Sequence, residues 1–173
     1  ILAGRGLASV TVAIDPAPFR GVLPIPLSAL RAASPVLRNP ANRNRAVALT
    51  YEQFRFAFAN AVSEREARDL YAIFAVPAPG KPLFQAAFAN LNPGTEAKVD
   101  SRNPDRGPLL IVSGEKDHTV PRSIAHASFR QQQKHNRSVT EFVEMPNRGH
   151  SLVIDSGWRE VAETALAFVR RFG

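Results

Sequence analysis

Two residues have the types and the placement for proton-transfer chemistry, Asp117 and His150. An aspartate bonded to one ring nitrogen of a histidine fixes its tautomer and stabilises the imidazolium, so the other nitrogen can act as general base and then general acid. Each residue alone has a plainer reading. Asp117 could bond its own backbone in a turn, and His150, following Gly149, could be a solvated loop residue. Position favours the pairing, because each stands just past an apparent strand, and one helical stretch separates the two strands. Open parallel sheets bind their ligands at the carboxyl ends of the strands. Asp15 also follows an apolar run and is the alternative acid.

The elements that would carry these residues can be read from apolar patterning. Leu109, Leu110, Ile111 and Val112 form an unbroken apolar run, which predicts a strand covered on both faces, as in a parallel sheet with helices on each side. Gly114 ends that strand, and Pro121 closes the turn that holds Asp117. Val10, Thr11, Val12, Ala13 and Ile14 predict a second buried strand, stopped by Asp15-Pro16-Ala17-Pro18. Residues 139–145 alternate, the pattern of a half-exposed edge strand, and lead into Pro146-Asn147-Arg148-Gly149-His150. Ser123 is expected to cap a helix that ends in the polar tail 131–137. The stretch 158–172 keeps an amphipathic stripe, with Arg170 and Arg171 in its last turn opposing the helix dipole. Residues 1–6 read as the frayed end of a helix closed by Gly4 or Gly6. Since Met145 is the only methionine, the sequence is expected to lack its front. The expected class is α/β, with about three parallel strands and crossover helices.

Between residues 20 and 106 the character changes. Pro24, Pro26, Pro35 and Pro40 predict short turns or brief helices, and residues 39–45 a polar, basic loop. Thr50 with Gln53 and Ser63 with Glu66 have the spacing of capping boxes and predict two helix starts. Phe54, Phe58 and Ala61 share a face of the first helix while Phe56 points elsewhere; a third segment carries Phe84 and Phe88. The phenylalanines read as core packing or as the lining of an apolar pocket, with Phe54, Phe58, Phe84 and Phe88 as candidates.

The composition, 45% hydrophobic and 21% charged, is that of an ordinary globular chain, and no apolar stretch approaches the ~20 residues of a membrane span. Neither a span nor a signal peptide is visible, and a cytoplasmic setting is the default expectation. The absence of cysteine excludes disulfide and thiolate chemistry. The net charge of +7 comes from scattered residues rather than one basic run, so no nucleic-acid partner is expected. No metal cluster, phosphate loop or dinucleotide fingerprint is visible, so no metal and no cofactor is implied.

The strand and turn from Pro108 through Gly114 to Asp117 and Pro121, together with Gly149-His150 before a C-terminal helix, resemble the α/β-hydrolase family, in particular its C-terminal half. The resemblance implies that Asp117 is the triad acid and His150 the triad histidine, that residues 1–19 and 107–173 belong to the core, and that 20–106 is a helical cap inserted between strands. Asp117 lies in the matching acid loop whereas Asp15 is held in Asp-Pro, so Asp117 is preferred. His118 and Asp155 are expected at the surface, with His118 at the pocket rim, and Val120 among the substrate contacts. The family's Gly-x-Ser-x-Gly nucleophile elbow does not occur here. Ser151 is too close to His150 in sequence, Ser113 lies on a buried strand, and Ser123 starts a helix, so the nucleophile is expected outside the chain. The implied function is hydrolysis of small or medium apolar esters by a Ser-His-Asp mechanism. Aspartate-nucleophile chemistry of the haloalkane dehalogenase or epoxide hydrolase type is the alternative. A further alternative is a non-catalytic binding or structural fragment. The strand from Val10 to Ile14 would leave an open apolar edge, to be paired by a missing N-terminal half or by a second copy in a homodimer.

Overall fold

The structure is a computed structural model that describes residues 1–134 and 137–173. Among these residues three segments pair in parallel: β1 (Thr11–Ile14), β4 (Leu109–Gly114) and β5 (Thr140–Met145), with β4 in the middle. Thr11 lies opposite Leu109 and Ile14 opposite Val112, while Leu109 lies opposite Thr140 and Gly114 opposite Met145. Gly107 lets the chains meet at the sheet's entry, since a Cβ there would stand 2.0 Å from the Ser9 carbonyl oxygen. All six residues of β4 are buried, as an unbroken apolar run between two helical layers requires.

Two helices cover opposite faces. Helix α5 (Arg122–Lys134) brings Ile124 and Ala125 against Val120 and Phe142, and α6 (Trp158–Phe172) brings Val161 and Phe168 against Leu110, Val112 and Met145. The alternation in β5 therefore sorts its side chains between two helices rather than between core and solvent. Phe142 and Glu144 face α5, with Glu144 paired to Arg122 at 2.7 Å, while Val143 packs on the α6 side and Glu141 pairs with Arg171. β5 is nonetheless an edge strand. So is β1, whose four residues stay half-buried instead of buried because β4 flanks it on one side only. Ser123 does not cap α5, which already begins at Arg122 directly after Pro121. Positions 135 and 136 of the polar tail lie outside the described residues. At the front, Ala3–Arg5 is a short 3-10 turn closed by Gly6, whose φ of 67° is the left-handed value glycine tolerates.

The segment between β1 and β4 contains α1 (Leu27–Leu37), α2 (Tyr51–Ala57), α3 (Glu64–Phe74) and α4 (Lys81–Ala87). Pro35 does not break α1. The Arg31 carbonyl, which Pro35 cannot serve, accepts a hydrogen bond from Ser34 Oγ at 2.8 Å instead. The expected loop at 39–45 is largely a 3-10 turn, Pro40–Asn44, started by Asn39. It leads to a small antiparallel pair that the sequence did not announce, β2 (Ala46–Val47) with β3 (Ala78–Pro79). Thr50 and Gln53 form a complete capping box on α2. Ser63 caps α3, but Glu66 does not return the bond; its Oε1 accepts from Ser156 N at 2.6 Å, tying α3 to the loop after His150. Helix α2 ends at Ala57, so Ala61 lies beyond it, and Phe54 stacks on Phe58 within a core made with Ala59, Ala67 and Leu70.

Candidate active site

The carboxyl ends of β1, β4 and β5 deliver Asp15, the Glu115–Val120 turn and the Asn147–His150 turn to one place. Gly114 makes this approach possible, because a Cβ there would lie 2.5 Å from the Gly149 carbonyl oxygen and 2.6 Å from that of Arg148. His150 Nδ1 stands 2.7 Å from Asp117 Oδ2. Against a carboxylate that nitrogen must carry the proton, which leaves Nε2 as the free basic atom. The other oxygen of Asp117 accepts from Thr119 N at 2.7 Å and Val120 N at 2.9 Å, and its side chain is sealed from solvent. This is a carboxylate held by three donors and locked by its own turn.

Asp15 is the second carboxyl at the same ring. Its Oδ2 lies 3.8 Å from His150 Nδ1, and its Oδ1 accepts from Gly114 N at 3.2 Å. Burial first, and the charge of Asp117 second, push the Asp15 carboxyl up to about 9. Polar side-chain atoms of Asp15, Asp117 and His150 lie within 4.8 Å of one another. The three residues are far apart in the chain, so no local spacing marks them as a group, and only the sheet assembles them.

The α2–α3 connection is laid across the turn that carries Asp117. Thr119 Oγ1 donates to the Ala57 carbonyl at 2.7 Å, His118 Nδ1 lies 3.0 Å from the Phe56 carbonyl, and Asn60 Nδ2 donates to the Lys116 carbonyl at 2.7 Å. Phe56 packs between His118, at 4.5 Å, and the Arg31 guanidinium, at 4.0 Å. Beneath this connection a cavity of about 230 Å³ opens, lined by Ile14, Asp15, Phe58, His150, Leu152, Val153 and Ile154. Of the residues expected to contact substrate, Phe58 lines it and meets the His150 ring edge-on at 5.1 Å. Phe54 and Val120 are instead buried in separate cores, since each closes a helix packing contact. Phe84 and Phe88 stack on each other along α4, and His118 is held by Phe56; none of these three lines the cavity.

Asp155 overturns the surface expectation. It is 1% exposed, ion-paired with Arg148, and accepts from Ser151 Oγ at 3.0 Å and Gly157 N at 3.0 Å. Arg148 also donates to the Gly157 carbonyl at 2.9 Å and the Leu152 carbonyl at 3.4 Å. This pair folds the loop that presents His150. The usable signal was Asp155-Ser156-Gly157 ahead of a helical stripe, a turn-forming run in which the aspartate can bond backbone two residues on. Ser151 is thereby committed to Asp155, and Ser113 is buried within β4.

A sequence profile described as the Alpha/beta hydrolase family matches residues 1–164. The chain belongs to the α/β-hydrolase family, and its parallel sheet brings Asp117 and His150 together at the carboxyl ends of neighbouring strands. No curated protein matches the sequence. Among solved structures, the chain is similar to an esterase from Rhodococcus sp., with 19% identity and a TM-score of 0.57 over 99% of this chain and 60% of that one. An extracellular alpha/beta-hydrolase from a Paenibacillus species is 21% identical, with a TM-score of 0.58 over 92% and 61%. A monoacylglycerol lipase from Paleococcus ferrophilus is 16% identical, with a TM-score of 0.50 over 95% and 60%. The chain thus spans about 60% of the length of the structures it resembles. Among the described residues no helix is long and apolar enough to cross a membrane.

Proposed function

We propose that the chain supplies the base and the orienting acid of a carboxylic ester hydrolase, acting on small apolar esters through a serine that these 173 residues do not provide. The observation that carries this reading is the 2.7 Å contact between His150 Nδ1 and an Asp117 carboxylate fixed by its own turn. In that arrangement Nε2 takes the proton of the attacking hydroxyl as the carbonyl is attacked and returns it to the leaving alcohol, while Asp117 stabilises the imidazolium between the two transfers. The apolar lining of Phe58, Ile14, Leu152, Val153 and Ile154, at about 230 Å³, suits a short acyl or alcohol group. Residues 20–106 act as a cap over the cavity, tied to the acid turn through Thr119, His118 and Asn60.

The reading is tested with p-nitrophenyl acetate or butyrate on the protein carrying its full catalytic set. His150→Ala is expected to lower kcat by at least about a thousandfold, and Asp117→Asn by a similar order. A fluorophosphonate should label no serine within residues 1–173. A labelled serine in that range, or turnover indifferent to His150→Ala, would sink the proposal.

A further inference from the structure

The mechanism above makes no use of Asp15, although its carboxyl stands beside both groups it invokes. Three features show that it is placed rather than incidental. The Asp15 backbone adopts φ 41°, a left-handed value that a non-glycine residue takes up only when its surroundings hold it there. Its N–H is bonded to the Val112 carbonyl at 2.8 Å, so the strained residue is clamped to β4. Its side chain is 5% exposed, and Oδ2 is sealed from solvent with no hydrogen-bond partner among the described residues.

The two carboxyls are treated unequally. Asp117 receives three donors, from Thr119 N, Val120 N and His150 Nδ1, whereas Asp15 receives one, from Gly114 N. The ionisable groups that face Asp15 are Asp117, His150 and Arg148, and the guanidinium of Arg148 is spent on Asp155 and on the Gly157 and Leu152 carbonyls. Two carboxylates around one neutral ring would leave a second buried charge without compensation, which is the situation in which adjacent carboxyls share a proton. A proton on Asp15 removes that charge and turns its carboxyl into a donor, with the neighbouring Asp117 carboxylate as its side-chain hydrogen-bond partner.

We propose that Asp15 is a positioning residue that stays a neutral carboxylic acid and donates its O–H to Asp117, so that the pair presents a single negative charge to His150. What this does for catalysis rests on the function proposed above; whether the proton is there does not. A carboxylate already bonded by a neutral acid is a weaker base. It therefore stabilises the imidazolium less than a lone carboxylate would. The neutral acid also cannot rival Asp117 for Nδ1, since it brings no charge to the ring.

The test is carboxyl-carbon NMR on the purified chain labelled at aspartate Cγ, with Asp15→Asn identifying the resonance and ring-nitrogen shifts reporting His150. The Asp15 signal is expected to keep its protonated position through neutral pH and to move only near pH 9. Asp15→Asn, which keeps a neutral donor, should leave the proton affinity of His150 within about twofold, whereas Asp15→Ala should raise it about tenfold. An Asp15 signal that titrates near pH 4 would overturn the proposal, as would equal displacement of His150 by Asn and Ala. A stoichiometric divalent ion in the native mass spectrum whose removal by chelator releases the Asp15 signal to low pH would also overturn it. Should Asp15→Ala not fold, the wild-type titration decides alone. A protonated Asp15 in a protein without ester turnover would refute the proposed function and leave this inference standing.

Discussion

At the scale of single residues, the buried carboxyl of Asp15 has a thermodynamic signature separate from any chemistry. Its folded-state carboxyl is raised to about 9, against an ordinary value near 4 in the unfolded chain. Between those values the native state holds a proton that the unfolded state has lost, so this group makes stability fall as pH rises. The contribution is fully favourable below about pH 4 and is lost progressively towards pH 9, with a slope of at most about 1.4 kcal/mol per pH unit. Asp15→Asn removes the slope, so the stability difference between variant and wild type should move in the variant's favour by up to about 4 kcal/mol between pH 5 and pH 8. Urea melts of both proteins at the two pH values measure this; parallel pH profiles would contradict it. Asp117 and His150 were legible in the sequence because each follows an apolar run and is framed by glycine or proline. The state of Asp15 was not, because it depends on a partner 102 positions away, from 15 to 117. Asp155 was hidden in the same way: a lone aspartate in a polar turn looks solvated until Arg148 is seen folded over it.

At the scale of elements, the loop between β5 and α6 is the part on which the site's geometry depends most. It has no regular structure of its own, so its order comes from Arg148, which links Asp155, Leu152 and Gly157 across it. Arg148→Ala leaves Asp155 buried without a counter-charge and should cost about 3–5 kcal/mol in urea unfolding. The double variant Arg148→Ala, Asp155→Ala should lose clearly less than the sum of the two single variants, because it removes both the cation and the stranded anion. Strict additivity would mean that the pair does not act as a unit. Strands and helix starts with local signals were readable here: the β4 run, the Thr50–Gln53 box on α2, and the stripe of α6. Elements whose cause is remote or compensatory were not. Pro35 continues α1 because Ser34 serves the carbonyl it abandons, and β2 with β3 exists only as a pair. Their two-residue strands carry no periodicity to read.

At the scale of the whole molecule, the order β1-β4-β5 puts the best-protected strand in the middle and, among the described residues, leaves β1 paired on one side. Composition could predict a parallel sheet, since β4 is apolar on both faces, but it could not rank the strands. β1 and β4 read alike as apolar runs, and only the pairing shows that β1 has a neighbour on one side. The Thr11 and Asp15 amides donate to Pro108 and Val112, so in a parallel ladder the intervening alternate amides of Val12 and Ile14 point to the open side. The edge from Thr11 to Ile14 carries neither a charge nor a proline to discourage another strand. In dilute solution the amides of Val12 and Ile14 should exchange at least about a hundredfold faster than those of Leu110 and Val112, because exchange at an unpaired edge needs no opening of the core. Hydrogen exchange followed by NMR resolves these positions. Slow exchange at Val12 and Ile14 in dilute monomer would show the edge already covered, whereas protection that grows with chain concentration would identify a second copy adding its strand alongside β1. Because Asp15 follows Ile14 directly, a strand added there would also brace the residue that shares its pocket with Asp117 and His150, linking assembly at the sheet edge to the order of the site.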